Sequence, residues 1–189
     1  MAEVVLFHHA QGQTPGFLAF ADELRAAGHT VHTPDLYDGN TFDTIDEGVG
    51  YARQVGFDVI PERGRAAVES LPNDLVYGGF SLGAMPAQML AQTRPGAKGA
   101  LLFSAAFPAS EFGGDWPQGV PLQIHMMEGD EWVLEGDLDA ARELETTVDG
   151  AELFLYPGEG HLFADNSLPA YDENAATLLT QRVLDFLKA

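Results

Sequence analysis

Apolar, β-branched runs of strand length alternate with amphipathic runs of helix length along most of this chain. The first strand-like run is EVVLFHH, and the run after it, TPGFLAFADELRAAG, carries Phe17, Phe20 and Leu24 at helical spacing before a stop at Gly28. Regular alternation of this kind indicates a parallel sheet buried between helices. We therefore predict an α/β fold with a mostly parallel sheet of about six or seven strands and helices on both faces.

The remaining runs continue the alternation. Five further strands are predicted in HTVHTPDLY, NDLVYGGF, AKGALLFSAA, VPLQIHMM and AELFLYPG. Two helices are predicted within 41–71, the second in PERGRAAVESL, and later helices in SLGAMPAQMLAQT, GDLDAARELETTV and AYDENAATLLTQRVLDFLKA. No repeat, low-complexity tract or linker interrupts the series, and the length of 189 residues suits one domain. We therefore expect a single domain over residues 1–189.

The excess of acidic residues limits the classes of molecule that the protein is expected to bind. The chain has 29 acidic and 9 basic residues, a formal net charge of −20, and such a surface repels nucleic-acid phosphates and anionic lipid head groups. No stretch approaches the roughly 18 apolar residues of a membrane span, and the start MAEVVLFHHAQG lacks the basic region of a signal peptide. We expect a cytoplasmic protein that binds neither nucleic acid nor membrane. The absence of cysteine excludes a disulfide framework, a thiolate metal site and a cysteine nucleophile.

The stretch YGGFSLGAM places Ser81 between Gly79 and Gly83, in the pattern G-x-S-x-G. A predicted strand ends just before the serine and a predicted helix begins at or just after it, which is the setting of the nucleophile elbow of α/β-hydrolases. Glycines are required because this sharp turn strains the serine backbone and leaves no room for neighbouring side chains. The pattern alone also occurs in structural turns, but its setting favours a nucleophilic serine.

A serine hydroxyl becomes an effective nucleophile when a base takes its proton and a third group orients that base. In α/β-hydrolases the partners follow in the order serine, acid, histidine, on loops at the carboxyl ends of strands. Of the six histidines only His125 and His161 follow Ser81, and His125 lies inside a predicted strand. His161, in YPGEGHLFAD after the sixth predicted strand, is therefore the predicted base.

The acid must lie between the serine and the histidine, after the fifth predicted strand. The segment HMMEGDEWV offers Glu128, Asp130 and Glu131, and Asp130 follows a glycine that can turn the chain at the strand end. Its carboxylate would accept the Nδ1–H of His161, fix the tautomer and stabilise the imidazolium. Asp130 is the predicted acid, with Asp137 and Glu131 as alternatives.

Two backbone N–H groups are needed for an oxyanion hole. We expect one from Leu82, directly after the serine at a helix start whose dipole favours negative charge. The other is expected from Ala10 in the loop HHAQG after the first strand. The paired His8 and His9 suggest a metal site, but adjacent strand residues point to opposite faces and no carboxylate or cysteine is near them in sequence. We predict no metal and no other cofactor.

With these residues placed, the chain resembles the dienelactone hydrolase family of the α/β-hydrolases. The resemblance runs through VVLFHHAQG, FADELRAAGHTVHTPDLYDG, GGFSLGAM, IHMMEGDEWV and GEGHLFAD. The family's type enzymes carry a cysteine nucleophile, whereas this chain has Ser81. They also carry a glutamate in the first oxyanion loop and an arginine that receives the substrate carboxylate, where this chain has His9 and Asp165. The resemblance thus implies a serine-nucleophile member of the family that does not favour an anionic lactone.

The segment between the fourth and fifth predicted strands is too short for a lid domain, so we expect an open cleft. Core packing is the more ordinary explanation for each aromatic residue near this cleft. The residues that could line its substrate pocket are His9, Gln11, Phe80, Phe107, Trp116 and Trp132. The predicted function is hydrolysis of a small ester, lactone or thioester through an acyl-serine intermediate. Two alternatives are a non-catalytic small-ligand-binding protein on the same fold and an acyltransferase that uses the same three residues.

Overall fold

The computed structural model describes residues 1–188 of the chain. Its six strands form one parallel sheet in the order β2-β1-β3-β4-β5-β6, which confirms the predicted sheet. The strands are β1 (Glu3–Phe7), β2 (Thr30–His32), β3 (Val76–Phe80), β4 (Gly99–Phe103), β5 (Leu122–Met127) and β6 (Glu152–Tyr156).

α-Helices occupy all but one of the connections between successive strands, where parallel pairing needs long crossovers. Within the described residues they are α1 (Pro15–Ala26), α2 (Ile45–Val55), α3 (Val59–Ala67), α4 (Ala84–Thr93), α5 (Glu131–Leu134), α6 (Asp137–Thr147) and α7 (Glu173–Phe186). The connection from β4 to β5 holds only a 3-10 turn, Ala109–Phe112.

The helices cover both faces of the sheet. Apolar residues of α1 and α7 pack with one face, and those of α2, α3, α4 and α6 pack with the other. Side chains of each strand alternate between the two cores, so that Val4 and Leu6 belong to one and Val5 and Phe7 to the other. Because both faces of the sheet are buried, the sequence of each strand is a nearly continuous apolar run.

Several helix boundaries differ from those predicted. Helix α3 begins at Val59 and ends at Ala67, so Pro61 is its third residue and not its first. The four-residue helix α5 was not predicted, because one helical turn is too short to show a period in the sequence. Helix α7 begins at Glu173, later than predicted, and the last residue of the predicted helix lies outside the described residues.

None of the helices within residues 1–188 combines the length and apolar character needed to cross a membrane.

Candidate active site

Four loops bring the predicted site residues to one edge of the sheet. Ala10 follows β1, Ser81 follows β3, Asp130 follows β5 and His161 follows β6. In a parallel sheet all carboxyl ends face the same edge, where ligands of open α/β folds bind. Residues that are far apart in sequence therefore meet at this edge.

The turn at Ser81 leads directly from β3 into a 3-10 turn, Ser81–Gly83, and then into α4. Ser81 has a φ of +49°, in the left-handed region that side-chain-bearing residues rarely adopt. A Cβ at Gly79 would lie 2.0 Å from the carbonyl oxygen of Gly83, and one at Gly83 would lie 2.4 Å from that of Phe7. The turn is thus seated against the backbone at the end of β1, and only glycine fits at either position.

A continuous hydrogen-bond series joins the serine, the histidine and the acid. Ser81 Oγ lies 2.7 Å from His161 Nε2, and His161 Nδ1 lies 2.6 Å from Asp130 Oδ2. Asp130 is 1% exposed and His161 is 7% exposed. The second carboxylate oxygen of Asp130 accepts the N–H of Trp132 at 3.0 Å, which caps α5. Such an arrangement can remove a proton from the serine and deliver it to a leaving group.

Neighbouring loops hold the histidine in place. The hydroxyl of Ser104, after β4, donates to the carbonyl oxygen of His161. The N–H of Gly129, beside the acid, donates to the carbonyl of Gly158 at 2.8 Å, which ties the acid loop to the histidine loop. The indole of Trp132 lies 5.6 Å from the His161 ring, between centroids, and this tryptophan is 41% exposed. An apolar surface is therefore presented to solvent beside the imidazole.

The two expected oxyanion donors have N–H groups without protein partners. Leu82 is the second residue of its 3-10 turn, where backbone N–H groups have no partner within the turn. In the described chain neither its N–H nor that of Ala10 donates to a protein acceptor. The Ala10 loop is fixed against α2, since a Cβ at Gly48 would lie 1.9 Å from the Ala10 carbonyl oxygen.

Both ring nitrogens of His9 have hydrogen-bond partners in the protein. Its Nε2 lies 2.8 Å from Asp165 Oδ2, and its Nδ1 accepts the N–H of Gln11 at 3.2 Å. Asp165 also accepts hydrogen bonds from the hydroxyls of Thr14 and Ser167. Burial raises the pKa of Asp165, but these hydrogen bonds outweigh burial and lower that pKa to about 2. Burial lowers the pKa of His9, so the pair is a neutral imidazole and an ionised carboxylate.

The other buried histidines have structural partners. His8 lies with Nδ1 2.8 Å from the carbonyl oxygen of His9, and its Nε2 accepts the N–H of Leu36 at 2.9 Å. His125 lies in β5 with Nδ1 2.8 Å from the Tyr156 hydroxyl. Burial lowers the pKa of His125 to about 3, so its ring stays neutral. Within residues 1–188 no group of three or more His, Cys, Asp or Glu side chains is arranged to hold a metal ion.

Asp137, one of the alternative acids, lies near His161 and Asp130 but forms no hydrogen bond with His161. Burial raises its pKa to about 6, and the nearby Asp130 adds to this shift. The backbone N–H of Ala106 and the electrostatic attraction of His161 oppose it. Asp137 is thus a second carboxyl group close to His161 and Asp130, and the sequence did not distinguish it from Asp130 as the candidate acid. Glu131, the other alternative, is exposed on α5.

Two of the predicted pocket residues, Gln11 and Phe80, are buried in the structure. Gln11 is buried, and its side chain donates to the Phe42 carbonyl. Phe80 stacks on Phe103 at 4.4 Å between centroids, in the core on the α1 side of the sheet. Its side chain is therefore directed into the core, as alternation with Val76 along β3 indicates.

The loop after β4 carries the two remaining aromatic candidates. Phe107 packs edge-to-face on Phe112, and its backbone pairs with the side chain of Gln88 in α4. Trp116 donates its indole N–H to the Val120 carbonyl and lines a separate surface cavity with residues of α6. The structure does not bring Trp116 to Ser81, Asp130 and His161. Of the aromatic candidates, Trp132 is the one beside His161.

Comparisons with known proteins agree with this architecture. The model of the Dienelactone hydrolase family matches residues 1–189. A dienelactone hydrolase-like promiscuous phosphotriesterase, P91, from metagenomic libraries is 16% identical with a TM-score of 0.77, over 100% of this chain and 86% of that one. Esterase PE8 is 20% identical with a TM-score of 0.71, over 98% of this chain and 93% of that one. The dienelactone hydrolase from Anabaena variabilis is 18% identical with a TM-score of 0.68, over 99% and 86% of the two chains.

At these identities the solved structures show a shared α/β-hydrolase fold and nothing about a shared substrate. A comparison with curated proteins gave no match.

Proposed function

We propose that this chain, which belongs to the dienelactone hydrolase family, is a serine hydrolase that cleaves a small, uncharged ester, lactone or thioester. The observation that carries the proposal is the unbroken series of hydrogen bonds from Ser81 through His161 to Asp130. Family membership supports a hydrolase, and the serine at the strained turn supports an acyl-serine intermediate.

In the proposed reaction Ser81 Oγ attacks the carbonyl carbon while His161 Nε2 takes its proton. The tetrahedral oxyanion is held by the N–H groups of Leu82 and Ala10. His161 then protonates the leaving group, which departs and leaves an acyl group on Ser81. Water then attacks the acyl carbon while His161 takes its proton. The bond from the acyl carbon to Ser81 Oγ breaks, His161 returns the proton to Oγ, and the carboxylic acid leaves. Asp130 accepts the Nδ1–H of His161 throughout and stabilises the imidazolium.

The charges around the site support an uncharged substrate. Asp165 is ionised close to the proposed oxyanion loop, and its partners are a neutral imidazole and hydroxyl groups. Among the described residues no lysine or arginine side chain forms an ion pair with Asp130 or Asp165. A substrate carboxylate would therefore meet negative charge without a cationic partner, on a protein whose net charge is −20.

A burst experiment tests the proposal. Wild type mixed with p-nitrophenyl acetate should release a burst of p-nitrophenol of about one equivalent per enzyme, and a fluorophosphonate should label Ser81. Ser81→Ala should lose both, while Ser110→Ala, an exposed serine in the β4–β5 connection, should keep both. Equal turnover by Ser81→Ala contradicts the proposal, and an unlabelled Ser81 with retained ligand binding indicates a non-catalytic binding protein.

Substrate charge and the acyl acceptor are tested on the same enzyme. p-Nitrophenyl butyrate should be a better substrate than the similarly sized mono-p-nitrophenyl succinate, and the difference should shrink at high salt. Product analysis in the presence of added alcohols distinguishes hydrolysis from acyl transfer, because transfer yields a new ester.

A further inference from the structure

The paired histidines at the end of β1 surround one peptide group, the one that joins His9 to Ala10. This group contributes the Ala10 N–H, which is the second oxyanion donor of the proposed function. Its other half is the carbonyl of His9, which accepts the N–H of Gly12 at 3.0 Å and lies 2.8 Å from Nδ1 of His8. A planar trans peptide directs its N–H opposite to its carbonyl, so holding the oxygen also sets the direction of the N–H. The chain has no cis peptide bond among the described residues.

The tautomer of His8 suits this role. Its Nε2 accepts the N–H of Leu36 at 2.9 Å and lies 3.5 Å from Asp35 Oδ1. A nitrogen that accepts a hydrogen bond carries no proton, so the ring proton is on Nδ1. Nδ1–H can therefore donate to the carbonyl oxygen of His9. The ring is fully buried, and the ring of Tyr37 lies 4.9 Å from it between centroids. The donor thus has a fixed direction.

The ring of His9 is anchored at both nitrogens. Nδ1 accepts the N–H of Gln11, so Nε2 carries the proton and donates it to Asp165. Asp165 lies 156 residues further along the chain, four residues beyond His161. It is 5% exposed and is also bonded to Thr14, the N-cap of α1. A buried hydrogen bond therefore links the loop of the proposed oxyanion donor to the loop of the proposed base.

We propose that His8, His9 and Asp165 are positioning residues that hold the Ala10 N–H toward the oxyanion. The inference rests on the proposed function and extends it to three side chains that do not take part in the proton transfers. His8 fixes the peptide through its carbonyl, and His9 with Asp165 fixes the loop against the histidine loop. The arrangement also explains why two histidines are buried side by side, since each ring has its own protein partners.

The test compares leucine variants with variants that keep one donor. His8→Leu and His9→Leu remove the ring donors, whereas the amide of His8→Asn can replace Nδ1–H and that of His9→Gln can replace Nε2–H. Each variant is assayed with an ester and with the matching thionoester, whose sulfur is a weaker hydrogen-bond acceptor. Circular dichroism and thermal melting identify the folded variants.

We expect the leucine variants to lose about 10- to 100-fold in kcat on the ester, with KM changed less than about threefold, because a misdirected oxyanion donor acts on the transition state. The thionoester rate should fall much less, and His8→Asn and His9→Gln should recover most of the ester rate. If a leucine variant does not fold, Asp165→Asn is measured in its place, with the same selective loss expected.

Equal losses on the ester and the thionoester, or unchanged rates in folded variants, overturn the positioning role. These outcomes differ from a failure of the proposed function. If wild type turns over no ester by a Ser81-dependent route, the hydrolase proposal itself is wrong and the positioning role falls with it. If wild type is active and the variants match it, only the positioning role is wrong.

Discussion

The hydroxyl of Ser104 donates a hydrogen bond to the backbone carbonyl of His161 over 2.5 Å. Ser104 follows the central strand β4, whereas His161 follows the edge strand β6, so the loop of an interior strand supports the loop of the proposed base. Ser104 has a φ of +58° and is 3% exposed, which shows that the surrounding structure holds it in a strained conformation.

Ser104→Ala should therefore impair both stability and catalysis. The substitution leaves the carbonyl of a buried residue without its partner, which costs about 1–3 kcal/mol of unfolding free energy. The imidazole loses part of its support, so kcat should fall severalfold with little change in KM. Urea denaturation and steady-state kinetics measure the two effects, with the exposed Ser110→Ala as control. A stability loss without a change in kcat means that Ser104 has no part in positioning His161.

The elbow glycine Gly83 should not tolerate a methyl group. A Cβ there would lie 2.4 Å from the Phe7 carbonyl oxygen and 2.5 Å from that of His8, and backbone atoms cannot move aside cheaply. Gly83→Ala should lower the free energy of unfolding by about 2 kcal/mol or more and reduce esterase activity strongly. Gly50→Ala, in α2 with open space around it, should be neutral or stabilising by up to about 1 kcal/mol. Similar melting temperatures for the two variants would contradict the structure of the elbow.

Asp137 should make stability depend on pH. Its pKa is about 6 in the folded protein against an ordinary value of 3.8, so the folded state keeps a proton that the unfolded state releases. Its contribution to stability is complete below about pH 4 and is lost as pH rises through about 6. The free energy of unfolding of wild type should therefore fall between pH 4 and pH 7 by about 1–2 kcal/mol more than that of Asp137→Asn, after allowance for partial exposure. Denaturant titrations at both pH values measure the difference, and a pH-independent difference would show that Asp137 titrates normally.

Trp132 should bind substrate without affecting the proton transfers. Its exposed indole lies beside the His161 ring, where it can contact an apolar leaving or acyl group. Trp132→Ala should raise KM for p-nitrophenyl butyrate about 3- to 30-fold, leave kcat within about threefold and change the melting temperature little. Phe107→Ala, in the loop after β4, serves as a comparison. A fall in kcat at constant KM would instead indicate that Trp132 supports the orientation of His161 or Asp130.

The sheet and the meeting of Ser81, Asp130 and His161 at one edge could be predicted because their signals are local in sequence. Each strand is a short apolar run, and Ser81, Asp130 and His161 each follow such a run closely. Parallel pairing then places all three at one edge without any knowledge of tertiary contacts. The order along the chain selected His161, but it left Asp137 and Glu131 beside Asp130 as candidate acids. The hydrogen bond between His161 and Asp130 is what favours Asp130.

Other features depend on contacts that the sequence does not show. The resemblance placed His9 and Asp165 at two corresponding positions, but their hydrogen bond joins loops 156 residues apart and follows from no local spacing. Phe80 was predicted as a pocket residue because it adjoins Ser81, although its alternation with Val76 along β3 indicates the core. Trp116 lies in an irregular loop, where no periodicity indicates a direction.

The proposed nucleophile and the proposed base are separated by 80 residues of chain. During synthesis, therefore, the strained serine turn can leave the ribosome well before the histidine that would activate it. A nascent chain that has formed β1, β3 and β4 would hold Ser81 without His161 beside it, and a serine hydroxyl without a base is a weak nucleophile. The proposed activity therefore requires β6, the last strand, to dock on the edge of the sheet and bring His161 to Ser81.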